Sequence, residues 1–220
     1  MKTIGVILAG SGVYDGAEIH EAVLTMLALD KRNVNMVLMA PNVNQHHVVN
    51  HLTGEEMNET RNVLTEAARI ARGDIKDIKN VDPSTLDAVI LPGGFGVAKN
   101  LCDFAFKGEN CTVEPSVLEF LTKIVEDKKP LGAVCIAPVL VAKIYEKLGK
   151  KAELTIGTDK ETADKVENMG NTHVSCLVKE FHIDKKNNIV STPAYMLGQR
   201  ISEVAEGIDK TVEALLGLIN

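Results

Sequence analysis

A cysteine between a strand pattern and a helix pattern is the first feature of this chain that could do chemistry. The apolar run 131–134 is typical of a buried parallel strand; it stops at Cys135, and an amphipathic helical pattern follows from Val139. Such a nucleophile elbow raises one side chain above the carboxyl end of the sheet and points the first free N–H groups of the helix at it. A thiolate and an oxyanion both suit that position. Buried cysteine is also a common core residue, so a purely structural Cys135 stays open.

A Pro-Gly-Gly turn supplies the second part of the predicted site. Residues 86–91 have the pattern of another buried strand, which ends at Pro92 before Gly93 and Gly94. Two glycines allow the backbone to approach a substrate closely. If this strand lies beside the elbow strand, the N–H groups of Gly94 and Ile136 converge on one developing oxyanion, with Gly93 in the substrate-binding turn. A Pro-Gly-Gly turn often only ends a strand, so the functional interpretation depends on the elbow beside it.

Glu18 is the acidic residue predicted to stand near Cys135. The run 3–9 predicts a central parallel strand, and a helical pattern begins after it at Asp15 and Gly16, which puts Glu18 in the first turn. The apolar positions that repeat along this helix are Ile19, Ala22, Val23, Met26 and Leu27. Doubly wound sheets bind ligands at the carboxyl ends of their strands, so Glu18 is a candidate acid or base. A carboxylate in a first turn is also favourable through the helix dipole alone.

The remaining polar patterns indicate neither a cofactor nor a metal. The glycines of 10–12 lack a third glycine in the register of a dinucleotide fingerprint. His47 and His51 are four apart, but the surrounding valines favour an extended ribbon that separates them by about 13 Å, with the histidines facing solvent or a partner. The cysteines lack metal-ligand spacing; they are Cys102, Cys111, Cys135 and Cys176.

Composition limits the class of protein. A chain of 220 residues with 45% hydrophobic and 25% charged residues predicts one soluble globular α/β domain over residues 1–220. A net charge of −6 without a basic block argues against nucleic acid as a partner. No apolar stretch reaches the roughly 20 residues that a membrane span needs. The first residues run directly into a core strand without a cleavable leader, which predicts a cytoplasmic protein with free thiols.

Strand and helix patterns alternate along the chain, which predicts a mostly parallel sheet with helices on both faces. Residues 173–178 alternate like an edge strand, and residues 189–193 predict the last strand. The closing helix has a regular apolar stripe, formed by Ile201, Val204, Ala205, Ile208, Val212 and Leu215.

Four segments together resemble the PfpI-type superfamily, which includes the Parkinsonism-associated deglycase and the class I glutamine-amidotransferase-like domains. They are 16–18, 91–94, 133–138 and 189–194, and the resemblance spans essentially the whole chain. Within the superfamily, the ribbon 48–57 and the segment 61–73 resemble the ElbB branch. That branch is a bacterial glyoxalase, formerly the sigma cross-reacting protein, and is linked by name to isoprenoid biosynthesis.

This resemblance implies a flavodoxin-like three-layer sandwich of the class I glutamine-amidotransferase-like type. It implies a cofactor-free, homodimeric enzyme that converts glyoxal, a small reactive dicarbonyl, to glycolate, with deglycation of early glycation adducts as a related activity. Carried over by position, Cys135 matches the nucleophile, Glu18 the acidic partner, and Gly94 with Ile136 the oxyanion donors.

One part of the superfamily pattern is missing. Members commonly have a histidine directly after the cysteine or in the loop after the next strand, where this chain has Ile136 and the neighbourhood of 156–157. The absence counts against a Cys-His peptidase or a glutaminase-type partner subunit, and leaves Glu18 as the expected proton shuttle, with His173 and His182 as spare candidates. A redox-sensing or chaperone-like protein that uses Cys135 as an oxidation sensor also stays open.

Overall fold

A seven-stranded sheet forms the centre of the computed structural model, which describes residues 1–219. In chain order the strands of this sheet and of a separate two-stranded sheet are β1 (Thr3–Ile7), β2 (Asn35–Ala40), β3 (Lys76–Asp77), β4 (Ala88–Leu91), β5 (Leu131–Val134), β6 (Glu153–Leu154), β7 (Thr172–His173), β8 (His182–Asp184) and β9 (Ile189–Thr192). The large sheet has the order β3-β2-β1-β4-β5-β9-β8, and β6 pairs with β7.

All pairs in the large sheet are parallel except that of β8 with β9. Its central strands are fully buried and apolar, as expected for parallel strands covered on both faces. Because β1, β4, β5 and β9 are parallel neighbours, their carboxyl ends lie along one edge of the sheet. The loops that leave this edge carry Glu18, Gly93, Cys135 and Tyr195.

Helices cover both faces of the sheet. They are α1 (Ile19–Asp30), α2 (Val63–Ile70), α3 (Phe104–Lys107), α4 (Pro115–Glu126), α5 (Pro138–Lys147), α6 (Lys160–Asn168) and α7 (Ile201–Gly217), with a π-helix at Val97–Leu101. One core packs α1, α2 and α7 on the sheet, and the other packs α4 and α5 on the opposite face. The predicted flavodoxin-like α/β class is therefore confirmed.

Helix α1 begins later than predicted, and the face that it buries is not the predicted apolar face. It starts at Ile19, so Glu18 is its N-cap and does not lie within its first turn. Ile19, Val23 and Leu27 are 45%, 47% and 45% exposed, whereas Glu21 and Ala22 are fully buried. The buried face of α1 is therefore made mostly of small and polar residues, with Glu21, Ala22 and Thr25 among them.

The predicted edge strand at 173–178 is wrong. Only Thr172–His173 is extended in a sheet, and it pairs parallel with β6 outside the main sheet. Beyond His173 the chain forms isolated backbone hydrogen bonds, such as that from the Val174 N–H to the Leu154 carbonyl. Strand β8 takes the edge position in the main sheet. Among the helices of residues 1–219, none has the length and hydrophobicity that crossing a bilayer requires.

Candidate active site

Cys135 lies in a strained turn between β5 and α5. Its backbone has φ +63°, in the left-handed region that costs a residue with a side chain about 1–2 kcal/mol. The Cys135 N–H donates to the Thr192 carbonyl of β9 at 2.9 Å, which fixes the turn to the neighbouring strand. The side chain is 8% exposed, so the predicted elbow is present and its sulfur is nearly enclosed.

Two backbone N–H groups point at the Cys135 sulfur. Strands β4 and β5 are neighbours, with Leu91 paired to Ala133, so the 92–94 turn lies beside the elbow as the sequence analysis requires. The N–H groups of Gly94 and Ile136 donate to the sulfur, and each lowers the pKa of the thiol. Within residues 1–219 neither group has another acceptor. Both are therefore available to an oxyanion formed on a carbon bonded to the sulfur.

The glycine turn is packed too tightly for any side chain. A Cβ on Gly94, whose φ is +99°, would lie 2.3 Å from the backbone nitrogen of Glu18. A Cβ on Gly93 would lie 2.4 Å from the Cβ of Cys135 and 2.6 Å from Oε2 of Glu21. These glycines bring the turn after β4 into direct backbone contact with the start of α1 and with the elbow.

Glu18 caps α1 and lines the cavity above Cys135. Its Oε2 accepts the backbone N–H of Glu21 at 2.7 Å, and its own backbone N–H donates to the Gly93 carbonyl at 2.9 Å. The carboxylate is thus close to the thiol, although another carboxyl lies closer to it.

That closer carboxyl belongs to Glu21, which the sequence analysis missed. Glu21 is fully buried; its Oε2 accepts the Gly93 N–H at 3.0 Å and its Oε1 accepts the Tyr195 N–H at 3.1 Å. Burial, and then the charge of Glu18, raise its pKa from the ordinary 4.5 to about 8, although hydrogen bonds from Tyr195, Cys135 and Gly93 oppose the rise. At neutral pH Glu21 is therefore mostly a neutral carboxylic acid in contact with the thiol.

The Cys135 thiol also holds its proton. Burial is the largest cause that raises its pKa well above 9, and the charge of Glu21 is the next. The thiol donates a hydrogen bond that favours the ionised form of Glu21, so Glu21 is the first of the pair to lose its proton, and its charge then holds the proton on Cys135.

An apolar cavity of about 380 Å³ opens above this pair. Phe95, Phe104 and Met196 supply apolar wall, and the polar groups facing it include Glu18, Cys135 and Tyr195. A mostly apolar pocket with a few convergent polar groups and a titratable pair of raised pKa is the usual form of an active site.

Comparison with known proteins agrees with this geometry. The family model described as "DJ-1/PfpI family" matches residues 12–192, which include Glu18, Glu21, both glycines of the turn and Cys135. This chain belongs to the DJ-1/PfpI family.

Two relatives of this DJ-1/PfpI protein match over almost the whole chain. The human protein "Glutamine amidotransferase-like class 1 domain-containing protein 3, mitochondrial" is 40% identical over 98% of this chain and 82% of its own length. The crystal structure of an isoprenoid biosynthesis protein with an amidotransferase-like domain from Ehrlichia chaffeensis is 38% identical, covers 100% of both chains and has a TM-score of 0.93. The glyoxalase III structure from Candida albicans has a TM-score of 0.62 over 100% of this chain and 98% of its own; at 15% identity it shows a shared fold alone.

The histidines that were candidates from the sequence form hydrogen bonds or ion pairs outside the cavity. His173 Nε2 accepts the Ile156 N–H at 3.3 Å, and His182 pairs with Glu153 at 3.2 Å. In the ribbon, His47 pairs with Glu56 at 3.7 Å. None of these three histidines lines the cavity.

His51 fixes the ribbon to the loop after β1. Its Nε2 accepts the Tyr14 N–H at 3.2 Å, and its Nδ1 bonds to the Val49 carbonyl at 3.0 Å. His51 therefore has a structural role, and residues 1–219 contain no group of histidine, cysteine and acidic side chains arranged for a metal ion.

Tyr195 is a second residue of the site in this DJ-1/PfpI protein, besides Glu21, that the sequence did not predict. It follows β9, beside Ala194, whose φ of +43° turns the chain towards α1. Besides its backbone bond to Glu21, its hydroxyl lies 2.8 Å from Nδ1 of His20. No local pattern distinguishes such a residue, because its place depends on β9 lying next to β5.

Proposed function

We propose that this protein is a cofactor-independent glyoxalase that converts glyoxal to glycolate through a hemithioacetal on Cys135, with deglycation of early glycation adducts as a related activity. The observation that carries the proposal is the convergence of two free N–H groups, those of Gly94 and Ile136, on a thiol in contact with a protonated carboxyl. That arrangement suits addition of sulfur to an aldehyde, because the negative charge then forms on oxygen next to the donors.

The first step adds the thiol across one aldehyde group. The fraction of Glu21 that is ionised takes the proton of Cys135 as the sulfur attacks, since the raised pKa of Glu21 makes it an effective base near neutral pH. A bond forms between sulfur and carbon, and the electron pair of the carbonyl moves to oxygen. The N–H groups of Gly94 and Ile136 hold this oxyanion, which then takes up a proton to give the hemithioacetal.

The second step moves hydrogen from one carbon to the other. Glu18 lines the cavity and takes the proton from the carbon bonded to sulfur, then returns it to the neighbouring carbon. The first carbon is oxidised to a thioester and the second is reduced to an alcohol, so no external oxidant or cofactor enters. Water then hydrolyses the thioester, which releases glycolate and restores the thiol.

The competing sequence-based interpretations receive less support. An oxidation sensor needs an exposed thiol of low pKa, whereas Cys135 is buried and its pKa is raised. A glutaminase-type mechanism needs a histidine beside the cysteine, and His173 and His182 bind outside the cavity. The homodimer, the cytoplasmic location and the absence of nucleic-acid and membrane partners stay predictions.

The proposal is tested by incubating purified protein with glyoxal and measuring glycolate by chromatography. Cys135→Ala should abolish production, because no other group can form the thioester. Cys176→Ala is the matched control, since Cys176 is half-buried outside the cavity, and should keep full activity. Equal production by wild type and Cys135→Ala would refute the proposal.

A further inference from the structure

Tyr195 connects the interior of the site with the protein surface. Its backbone N–H donates to Oε1 of Glu21, so the residue is fixed directly beside the carboxyl that contacts Cys135. Its side chain lines the same cavity as Cys135 and Glu18. The residue is therefore anchored at the site by a main-chain bond that does not depend on its hydroxyl.

The partner of that hydroxyl is an exposed histidine. His20 lies in the first turn of α1, between Glu18 and Glu21, and its Nδ1 is 2.8 Å from the Tyr195 oxygen. The two rings are tilted at 46°, with their centroids 5.9 Å apart. His20 is exposed, so one end of the pair faces solvent and the other faces the cavity.

We propose that Tyr195 is a catalytic acid and base of the glyoxal reaction, and that His20 is the positioning residue that holds its hydroxyl and stabilises its phenolate. The inference rests on the proposed function for its substrate. It gives this chain a Tyr-His pair that joins the loop after β9 to the start of α1.

The hydrogen transfer between the two carbons requires such a group. As Glu18 takes the proton from the carbon bonded to sulfur, the oxygen on the second carbon must gain a proton to give an enediol. The Tyr195 hydroxyl donates this proton and becomes a phenolate. When Glu18 returns its proton to the second carbon, the oxygen on the first carbon must lose one, and the phenolate accepts it. The phenol is thus restored and every proton is accounted for.

His20 lowers the free-energy cost of forming the Tyr195 phenolate. Burial, and then the charges of Glu18 and Glu21, raise the pKa of the Tyr195 hydroxyl, so a donor to the oxygen is needed to favour the phenolate. An N–H on Nδ1 of His20 donates to the phenolate oxygen at the observed separation and offsets that cost. Removing His20 should therefore slow the chemical step more than it weakens substrate binding.

The test compares the kinetics of Tyr195→Phe, His20→Ala and wild type with glyoxal. Tyr195→Phe keeps the backbone bond to Glu21 and removes only the hydroxyl, so kcat should fall by about 10²-fold or more while KM changes only a few-fold. His20→Ala should lower kcat by about tenfold, and added imidazole should restore it, because the vacated position faces solvent. Tyr14→Phe and His182→Ala are the matched controls and should retain wild-type rates.

Three other outcomes of these measurements would each contradict a proposal. Unchanged kcat in Tyr195→Phe would overturn the catalytic role of Tyr195 while leaving the glyoxalase proposal intact. A loss of activity in His20→Ala that imidazole does not restore would overturn the role of His20 in stabilising the phenolate. A wild type that produces no glycolate from glyoxal would overturn both proposals.

Discussion

The carboxylate of Glu18 accepts the backbone N–H of Glu21 at 2.7 Å, so one acidic residue fixes the helical turn that carries the other into contact with Cys135. The two carboxyl groups therefore have separate tasks. Glu18 lines the cavity and caps α1, whereas Glu21 is fully buried and shares protons with the thiol.

Replacing Glu18 should affect rate far more than folding. Glu18→Gln cannot exchange a proton, so glyoxal turnover should fall by about 10² to 10⁴. The loss of a good N-cap should cost about 1 kcal/mol of unfolding free energy, measured by denaturant titration. Glu18→Asp keeps a capping carboxylate, so comparison with Glu18→Gln separates the effect on turnover from the effect on unfolding free energy. Near-normal turnover in Glu18→Gln would exclude Glu18 as the proton carrier.

Stability should fall as pH rises, because of Glu21. Its pKa is about 8 in the folded protein and near 4.5 when unfolded, so the folded state binds more protons between these values. The stabilisation is complete below pH 4.5 and is lost as pH rises through 8, by up to roughly 5 kcal/mol. Thermal unfolding from pH 5 to 9 should show this decline. In Glu21→Gln the decline should flatten, whereas Glu18→Gln should retain it; an identical slope in Glu21→Gln would contradict the assignment.

Ionisation of Cys135 should respond to the charge of Glu21. Because that charge raises the pKa of the thiol, Glu21→Gln should lower the thiol pKa and speed its alkylation by iodoacetamide. Peptide mapping by mass spectrometry after brief alkylation should show labelling of wild-type Cys135 that increases from pH 7 to 9. Cys176, whose pKa is raised to about 11, lies outside the cavity and serves as the internal reference, because its labelling rate should be the same in Glu21→Gln and wild type. Slower labelling of Cys135 in Glu21→Gln would mean that Glu21 acts mainly as a proton donor to the thiolate.

A side chain on Gly94 should disrupt the site by overpacking, although the backbone N–H donor itself is kept. Gly94 and Gly149 both have positive φ, but a Cβ on Gly149 would meet nothing within 4 Å. Gly149→Ala should cost about 1 kcal/mol from backbone strain alone. Gly94→Ala should cost a further 1 to 3 kcal/mol, because the new Cβ overlaps the backbone at Glu18. Equal losses of unfolding free energy in the two variants would show that the turn can relax.

The sequence predicts those site residues whose place is fixed by a strand end. Cys135, Ile136 and the two glycines follow buried strands directly, so their pattern alone brings them to one edge of a parallel sheet. The choice between Glu18 and Glu21 depends instead on how α1 is rotated about its axis. Ile19, Val23 and Leu27 are exposed, whereas the apolar stripe of a helix usually faces the core. Tyr195 depends on the non-local pairing of β5 with β9 and on the left-handed backbone of Ala194, which no local pattern of apolar residues encodes.

The position of β9 in the chain has a consequence for synthesis on the ribosome. β9 lies between β5 and β8 in the sheet, and its Thr192 carbonyl accepts the Cys135 N–H, yet it is made later than either strand. Until residues 189–195 emerge, β5 has an unpaired edge and Glu21 lacks one of its two backbone donors. The nascent chain therefore passes through a stage in which the cysteine is already present but the environment that keeps it protonated is incomplete.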